Sequence, residues 1–363
     1  MAENSLDTAH RWPLHCMTIR HPKKETITTM PSTGEIESGG PTPSVAAVII
    51  GRNEGARLVA CLASVAPHVP QIVYVDSGST DRSVEEARRA GAQVVELDMS
   101  RPFTAARARN AGLAALQDGP EVQFVQFIDG DCRLAPGWID TAAAFLSANP
   151  ATVAVCGCLH ELDVQASIYN RLCDWEWDTP IGRADACGGI AMMRQEAVAG
   201  VGGFREDLIA GEEPDLCQRL IARGGGIWRI DASMGYHDAA IYRFSQWWRR
   251  NVRAGHAFAE VGGLHPTLYP AARRRMVIWG AVLPAIALAG GLWSPPLAVV
   301  VAALYVASWG RSSLRFARLG YSAPDAAKAG GLLTLSKFCN LQGAALYHLR
   351  RLRGRSSRII EYK

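Results

Sequence analysis

The chain has 363 residues and a formal net charge of only +4, with 38 Lys and Arg against 34 Asp and Glu. This length is enough for about two domains, and so small a positive excess does not by itself indicate a nucleic-acid partner. The nine cysteines lie largely in apolar segments and contain no Cys-x-x-Cys pair. The sequence therefore predicts neither a zinc site nor a disulfide framework, and a reducing cytoplasmic compartment is favoured.

Residues 1–43 mix His, Pro, Ser, Thr and Gly without hydrophobic periodicity, which is typical of a flexible leader. No continuous apolar core of the kind that a secretory signal needs is visible in them.

Strand-like and helical segments alternate between residues 44 and 262. The predicted strands are Val45–Ile50, Gln71–Val75, Gln93–Leu97, Val122–Ile128 and Val153–Cys156. The predicted helices are Ala56–Val65, Asp81–Ala90, Thr104–Leu116 and Trp138–Ser147. Recurring strands with helices between them are typical of parallel βαβ units. We therefore expect an α/β domain with a mostly parallel, Rossmann-like sheet flanked by helices.

Two carboxylates, Asp129 and Asp131, follow the predicted strand Val122–Ile128 and are separated by Gly130. The glycine lets the backbone turn sharply, and ligands bind at the carboxyl ends of strands in open α/β sheets. Hard oxygen donors at such a place suit Mg²⁺ or Mn²⁺, which in turn favour phosphate-bearing substrates. An ordinary turn is the alternative, since Asp and Gly are common turn formers.

Two more polar loops, at residues 51–55 and 76–81, follow predicted strands at the same edge of the sheet. Their side chains can hydrogen-bond a base and a ribose without disturbing the core. Either loop alone could be an ordinary strand-to-helix connection, with Ser79 or Thr80 merely capping the helix. Neither loop has the glycine-rich signature of a dinucleotide-cofactor site or of a P-loop, which weakens both interpretations.

Residues 263–363 are different in kind, because no charged residue occurs from Met276 to Gly310. Two prolines divide this run into Met276–Trp293, just long enough as a helix to cross a bilayer core, and Leu297–Trp309, which is short for a full span. Arginines flank both ends, as expected for a hydrophobic hairpin over residues 276–310 with its two ends in the cytoplasm. A buried helical pair in a soluble domain is the alternative.

The segment Gly330–Leu349 carries Lys337 and His348, and it is predicted to lie at the membrane surface rather than to span it. The basic tail at residues 350–358 would then contact anionic lipid headgroups. A solvated basic face is the alternative for this tail.

Five short motifs occur in order along the first part of the chain. They are Asn53-Glu54 and the residues 75–81, 108–112, 129–131 and 211–216. Together they resemble family 2 of the glycosyltransferases, over roughly Ser44 to Glu260. The resemblance implies a GT-A fold, a nucleotide-diphosphate sugar donor, a divalent metal ion (Mg²⁺ or Mn²⁺) and inversion at the anomeric carbon.

The resemblance also implies roles for individual residues. The implied donor-binding residues are Asp76 at the nucleobase, Asn53 or Glu54 nearby, Arg109 in the donor pocket and Asp129 nearer the ribose. The implied metal ligands are Asp131, Asp129 and His237, the last because some family members add a His at a comparable place. Gly188 and Gly189 could let the backbone approach the donor sugar, although a tight turn explains them equally well.

Transfer requires a base that takes a proton from the acceptor hydroxyl, and Glu213 is the candidate, with Glu212 beside it. Glu213 precedes Pro214, so we expect it at the amino end of a helix, where the dipole stabilises the carboxylate and opposes a raised pKa. The two glutamates could also simply favour the helix start. The family usually has Glu-Asp where this chain has Glu212-Glu213, so the base is left open between these two residues. The family also usually has a second Asp where this chain has Ser77, so that carboxylate is absent here.

The sequence thus predicts a metal-dependent inverting glycosyltransferase at the cell inner membrane, with its catalytic domain in the cytoplasm. We expect it to move a sugar to a hydroxyl of a glycan acceptor, lipid-linked because of the membrane segment, in envelope or exopolysaccharide assembly, without nucleic acid. A nucleotidyltransferase of sugar phosphates is one alternative, although it would need a basic glycine-rich loop after the first strand. A catalytically silent, membrane-bound nucleotide-sugar-binding protein is the other.

Overall fold

The computed structural model of the chain describes residues 43–354 and 359–361. Residues 1–42 of the predicted leader and residues 355–358 of the predicted basic tail lie outside the described residues. The strands are β1 (Val45–Gly51), β2 (Gln71–Asp76), β3 (Gln93–Glu96), β4 (Phe124–Asp129), β5 (Cys132–Leu134), β6 (Thr152–Glu161), β7 (Gly182–Arg183), β8 (Ala191–Arg194) and β9 (Gly226–His237).

Seven helices lie within the predicted catalytic domain, and the remaining five follow it or continue beyond it. The first seven are α1 (Ala56–Val65), α2 (Ser83–Arg89), α3 (Ala105–Leu116), α4 (Trp138–Ala148), α5 (Ile168–Trp177), α6 (Gln195–Gly200) and α7 (Glu212–Ala222). The others are α8 (Phe244–Leu264), α9 (Pro270–Val277), α10 (Leu283–Trp293), α11 (Pro295–Arg318) and α12 (Ala323–Leu352). A π-helical turn at Ile278–Val282 joins α9 to α10.

The strands form one sheet in the order β3-β2-β1-β4-β8-β6-β9-β5, with β7 paired to β9. β1 pairs in parallel with β2 and β4, as expected for βαβ units. β8 enters between β4 and β6 and runs antiparallel to both. The predicted α/β fold is confirmed, and the sheet is mixed, since the parallel arrangement extends from β3 only as far as β4 before β8 interrupts it.

The register of the central strands brings the three predicted loops together. Gly51 at the end of β1 lies beside Asp76 at the end of β2, and Ile50 lies beside Asp129 at the end of β4. β1 is buried almost throughout, because a central strand is covered by helices on both faces and therefore reads as a continuous apolar run. The polar residues that follow these strands consequently share one edge of the sheet.

The C-terminal helices pack on the sheet domain rather than forming a separate body. α12 lies along α8 so closely that a Cβ atom at Gly343 would come within 1.9 Å of the Val252 carbonyl oxygen. The segment Gly330–Leu349, predicted at the membrane surface, lies within α12, and its residues Leu333 and Cys339 are buried in a cluster with α5 and α8. The domain boundary predicted at residue 262 falls in the last turn of α8.

Of the described helices, α11 is the single one that is long and apolar enough to cross a membrane, judged by length and composition. It has 24 residues, and only 6% of its most apolar stretch is buried in the protein. The expectation that the second half of the apolar run, Leu297–Trp309, is too short to span a membrane is therefore wrong. The helix does not end at Trp309 but continues through Arg311 to Arg318.

Candidate active site

Arg109 stands at the centre of the site, where it joins two carboxylates from different elements. Its side chain on α3 is 3% exposed, and its guanidinium lies 2.8 Å from Asp129 at the end of β4 and 2.7 Å from Glu212 at the start of α7. The same group donates to the Gly189 carbonyl oxygen across 3.3 Å. The structure therefore brings four of the predicted site residues into direct contact.

The pKa values of the two carboxylates move in opposite directions. Burial raises the pKa of Glu212, but the charges of Arg109 and Arg253 outweigh this effect, so the net shift is downward. Loss of water around Asp129 raises its pKa; Arg109 opposes this shift, and the neighbouring Asp131 adds to it. Glu212 is thus a stable counter-ion for Arg109, while Asp129 is the carboxylate of the pair that a cationic ligand would stabilise.

Asp131 and His237 face each other across the edge of the sheet. The antiparallel register of β5 and β9 sets Cys132 opposite His237, and the Asp131 carboxylate lies 3.4 Å from His237 Nε2. Their side chains are 10% and 15% exposed, and potential ligand atoms of Asp131, Cys132 and His237 lie within 4.8 Å of one another. The structure brings the predicted ligands Asp131 and His237 together, whereas Asp129 is engaged with Arg109.

Asp131 and His237 could hold a divalent metal ion. A carboxylate oxygen and an imidazole nitrogen are suitable ligands for Mn²⁺, and the oxygen suits Mg²⁺. Among the described residues, the buried His237 Nδ1 has no hydrogen-bond partner, so no contact there fixes which ring nitrogen carries the proton. The Trp177 ring meets the imidazole edge-on, with centroids 4.8 Å apart, and thereby limits its rotation.

Hydrogen bonds of Asn53 connect the polar loop at residues 51–55 to the polar loop at residues 76–81. Asn53 has a left-handed φ of 56°, and its side-chain oxygen accepts from the Thr80 N–H at 2.7 Å. In return, the Asn53 N–H donates to the Ser79 hydroxyl at 2.9 Å. Glu54 forms an ion pair of 2.8 Å with Arg57 in the next turn. Asn53 therefore orders this edge of the sheet, and the donor contacts predicted for Asn53 and Glu54 remain predictions.

The Asp76 carboxylate stabilises the second polar loop, residues 76–81, through hydrogen bonds. This buried carboxylate accepts from the N–H groups of Gly78 and Ser79 at 2.9 and 2.8 Å. The Tyr74 hydroxyl donates to it at 3.0 Å, and burial together with this carboxylate raises the pKa of Tyr74 far above its usual range. The sequence analysis did not identify Tyr74, although its two-residue spacing from Asp76 on one strand puts both on the same face. The nucleobase contact of Asp76 remains a prediction.

Glu213 lies behind the loop that carries the two predicted glycines. Its carboxylate accepts from the N–H groups of Cys187 at 2.5 Å and Gly188 at 3.0 Å, and from the Cys217 thiol at 2.9 Å. Burial raises the pKa of Glu213, and these hydrogen bonds oppose the shift without cancelling it. Gly188 and Gly189 have φ values of 90° and 93°, which glycine alone adopts without strain. The predicted position of Glu213 at the start of a helix is confirmed.

A cavity opens between the sheet edge and helices α5 and α8. Its lining includes Asp129, Trp177, Gly188, Ile190, His237 and Arg250. Arg250 is half-buried and pairs with Glu176 across 2.6 Å, so its charge is already balanced at the cavity wall. Trp177 is a residue that sequence reasoning missed, since nothing in the local pattern distinguishes it from a core aromatic residue. Asp129 and His237, one residue from each of the two contacts described above, both line the cavity, which makes it the candidate place for a ligand.

Comparisons with known proteins find sequences and structures that resemble this chain. Residues 46–201 match the profile of Glycosyl transferase family 2. A Pre-mycofactocin glycosyltransferase of Mycobacterium tuberculosis is 26% identical over 244 residues, covering 63% of this chain and 50% of the relative. The chain thus spans about half the length of the curated relatives it matches.

A solved structure has a similar overall fold. The mannosyltransferase PcManGT of Pyrobaculum calidifontis, in complex with GDP-Man and Mn²⁺, superposes with a TM-score of 0.55 and 19% identity over 85% of this chain and 88% of the other. This likeness supports the GT-A fold predicted from the motifs. The resemblance to family 2 of the glycosyltransferases inferred from the sequence is confirmed by the match over residues 46–201.

Proposed function

We propose that the protein is a metal-dependent inverting glycosyltransferase that moves a sugar from a nucleotide-diphosphate sugar to a hydroxyl of a glycan acceptor. The observation that carries this proposal is the pair of contacts at the end of β4, Arg109 with Asp129 and Asp131 with His237, on either side of one turn. The Arg109 guanidinium would attract the negative charge of a sugar nucleotide, and the Asp131 and His237 side chains would be ligands for a metal ion.

Asp131 and His237 would hold Mg²⁺ or Mn²⁺, and Asp129 would become a third ligand after the donor displaces its contact with Arg109. A divalent ion there supplies the positive charge that stabilises a departing diphosphate. The mannosyltransferase of similar fold binds GDP-Man and Mn²⁺, which supports a nucleotide-sugar donor. Asn53 and Asp76 would support the nucleoside end, since the loops that they order lie at the same sheet edge.

Glu213 would act as the base. Its raised pKa brings it nearer to the working pH than an ordinary carboxylate, which favours proton transfer from a hydroxyl. Gly188 both donates to Glu213 and lines the cavity, so a small shift of this glycine would open Glu213 to an acceptor. Glu212, held by Arg109 with its pKa lowered, would position the guanidinium instead.

The acceptor would be lipid-linked, and the catalytic domain would face the cytoplasm at the inner membrane. This part of the proposal rests on α11 and its neighbour α10, whose outward surfaces carry large apolar side chains such as Leu288 and Trp293, which are 76% and 85% exposed. Exposed apolar surface of this extent is typical of membrane or partner contact. An acceptor held at the membrane surface would meet the cavity from the side of α8.

The experiment is to measure release of nucleoside diphosphate by the purified full chain, with Mg²⁺ or Mn²⁺, over a panel of nucleotide sugars. We expect one donor to react, Glu213→Gln to abolish turnover, and this variant still to bind the donor. Glu96→Gln, which alters an exposed ion pair with Arg88, serves as the control. If no donor binds, or if Glu213→Gln turns over at the wild-type rate, the proposal is wrong.

A further inference from the structure

Behind Glu213, the fold gathers three cysteines from elements far apart in sequence. Cys156 lies on β6, Cys187 in the loop before β8, and Cys217 one turn after Glu213 on α7. The neighbouring thiols of Cys156 and Cys217, together with burial, raise the pKa of the Cys187 thiol well above its usual range. None of the three forms a disulfide, so each thiol is available as a ligand.

The donor atoms are spaced as a metal site requires. Ligand atoms of Cys187, Glu213 and Cys217 all lie within 4.8 Å of one another, and the Cys217 sulfur is 2.9 Å from the Glu213 oxygen. In a tetrahedral zinc site with Zn–S bonds of about 2.3 Å, neighbouring sulfurs are separated by roughly 3.8 Å. The existing spacing therefore needs only small side-chain movements to surround one ion.

We propose that Cys187, Cys217 and Glu213 form a binding site for one thiophilic divalent cation, such as Zn²⁺ or Cd²⁺. Two sulfurs and one carboxylate oxygen are ligands that these ions favour, and the neighbouring Cys156 thiol is the candidate for the fourth position. The site is distinct from the cluster of Asp131, Cys132 and His237, which other elements form at the edge of the sheet. The sequence shows no zinc spacing because the ligands come from three separate elements.

An ion can reach this site from the cavity. Gly188 lines the cavity wall and stands next to Cys187, which is only partly buried, whereas Cys156 and Cys217 are buried. No atom lies within 4 Å of the place where a Cβ of Gly188 would be, so the loop has room to move aside. An ion that enters by this route would take the Glu213 carboxylate and remove it from acid–base chemistry. This inhibition rests on the proposed function, whereas binding of the ion does not.

The test is a Cd²⁺ titration of the reduced, metal-free full chain with Cys132→Ser as the common background, so that the cluster of Asp131, Cys132 and His237 offers no thiolate to the ion. We expect an ultraviolet thiolate-to-cadmium band that saturates at a single equivalent. Cys187→Ser and Cys217→Ser should each weaken Cd²⁺ binding about tenfold or more, whereas Cys339→Ser, buried far away in α12, should titrate like the background. Absence of the band, or an unchanged titration of Cys187→Ser, overturns the proposal.

A second measurement uses the wild type alone, in case a serine variant does not fold. Alkylation by iodoacetamide followed by peptide mass spectrometry reports which thiols a bound ion protects. We expect Cd²⁺ to slow alkylation of Cys187, and to leave alkylation of Cys158, a partly buried thiol on β6, unchanged. Equal alkylation of Cys187 with and without Cd²⁺ contradicts the site. Loss of this protection would leave the donor-binding assays untouched, so the two proposals fail separately.

Discussion

The Arg109 guanidinium lies 2.8 Å from the Asp129 carboxylate and thereby fixes helix α3 to the carboxyl end of strand β4. The other arm of the same guanidinium reaches Glu212 at 2.7 Å, so one cation contacts two carboxylates. The planar fork of arginine can serve both partners at once, and a lysine ammonium cannot do this with the same geometry. The orientation of the carboxylates around the cavity depends on this single side chain.

We predict that Arg109→Lys retains the fold but loses most of the activity. A lysine keeps the charge and one of the two contacts, so the free energy of unfolding should fall by about 2 kcal/mol, the range of one lost hydrogen bond to a charged group. Displacement of the carboxylates should lower the rate of donor turnover about hundredfold. Urea denaturation and a turnover assay measure the two effects.

The matched control for this change is Arg88→Lys. Arg88 pairs with Glu96 across 2.6 Å, but both side chains are more than half exposed, and exposed pairs contribute about 1 kcal/mol or less. Neither stability nor turnover should change measurably. Equal losses in the two variants would mean that the double contact of Arg109 has no special role.

Much of the first half of the fold could be predicted from the sequence, because the strands there are continuous apolar runs that end in polar loops. The meeting of Asp76 and Asp129 at one edge follows from parallel βαβ order, and the register of β1 with β2 and β4 agrees. The placement of Asp131 near His237 also agrees with a ligand pair, although the sequence supplied only the family resemblance for His237. The β-branched and aromatic content of the strands and the chemistry of the loops carried these inferences.

The remaining features depend on long-range packing that no local pattern encodes. The insertion of β8 between β4 and β6 reverses the strand direction, and it is this strand order that brings the Cys187 loop onto Glu213. The sequence predicted that Gly330–Leu349, which lies within α12, would be at the membrane surface because it carries Lys337 and His348. In the structure α8 is the partner of this segment, and the contact needs glycines whose purpose is visible only in three dimensions.

The metal proposal predicts that His237→Gln and Asp131→Asn each weaken Mn²⁺ binding about tenfold or more. Each change removes one of the two ligands that lie 3.4 Å apart while keeping a side chain of similar size. Electron paramagnetic resonance of free Mn²⁺ gives the dissociation constant. Asp238→Asn, at the next residue of the chain, is the control and should bind Mn²⁺ normally. Unchanged binding in both ligand variants would rule out this site.

The raised pKa of Glu213 predicts the direction of the pH dependence. A base acts when deprotonated, so turnover should rise with pH through the raised pKa, with an acid limb above the ordinary value of about 4.3 for Glu. The Cys217 thiol donates to the charged form and lowers the pKa, so Cys217→Ala should move this limb to still higher pH. Cys339→Ala should leave the limb in place. A pH profile of kcat/KM decides between these outcomes.

The raised pKa of Glu213 also makes the free energy of unfolding depend on pH. Because the folded-state pKa of Glu213 lies above the unfolded value, its stabilising contribution is fully present below the unfolded pKa and is lost as pH rises through the folded pKa. Glu213→Gln, which is neutral at every pH, should remove this loss. Urea denaturation of both proteins across the same pH range should therefore show a smaller decline in the free energy of unfolding for the variant.

The membrane proposal predicts that charge on the outward face of α11 prevents lipid binding. Val299 and Val306 are 67% and 62% exposed, and an arginine at the centre of a spanning helix costs about 2.5 to 3.5 kcal/mol. The double variant Val299→Arg, Val306→Arg should shift from vesicle-bound to free in a flotation assay. Leu162→Arg, at an exposed apolar residue of the catalytic domain, should float with the vesicles like the wild type. Equal flotation of the two variants would contradict a membrane role for α11.

Helices α8 and α12 approach each other through glycine, which makes their contact sensitive to a single methyl group. A Cβ at Gly343 would lie 1.9 Å from the Val252 carbonyl oxygen and 2.7 Å from the His256 nitrogen, both backbone atoms that cannot rotate away. A Cβ at Gly255, on the facing helix, would lie 2.0 Å from the Asn340 carbonyl oxygen. The two glycines therefore set the distance between the helix that borders the cavity and the helix that packs on α11.

We predict that Gly343→Ala lowers the free energy of unfolding by about 1 to 3 kcal/mol, the usual range for overpacking. The clash should exceed the gain of up to about 1 kcal/mol that alanine brings to a helix interior. Gly263→Ala is the matched control, because it lies on α8 with no atom within 4 Å of its Cβ position, and its stability should be unchanged or slightly higher. If both variants are stabilised alike, the close approach of α8 and α12 is absent in solution.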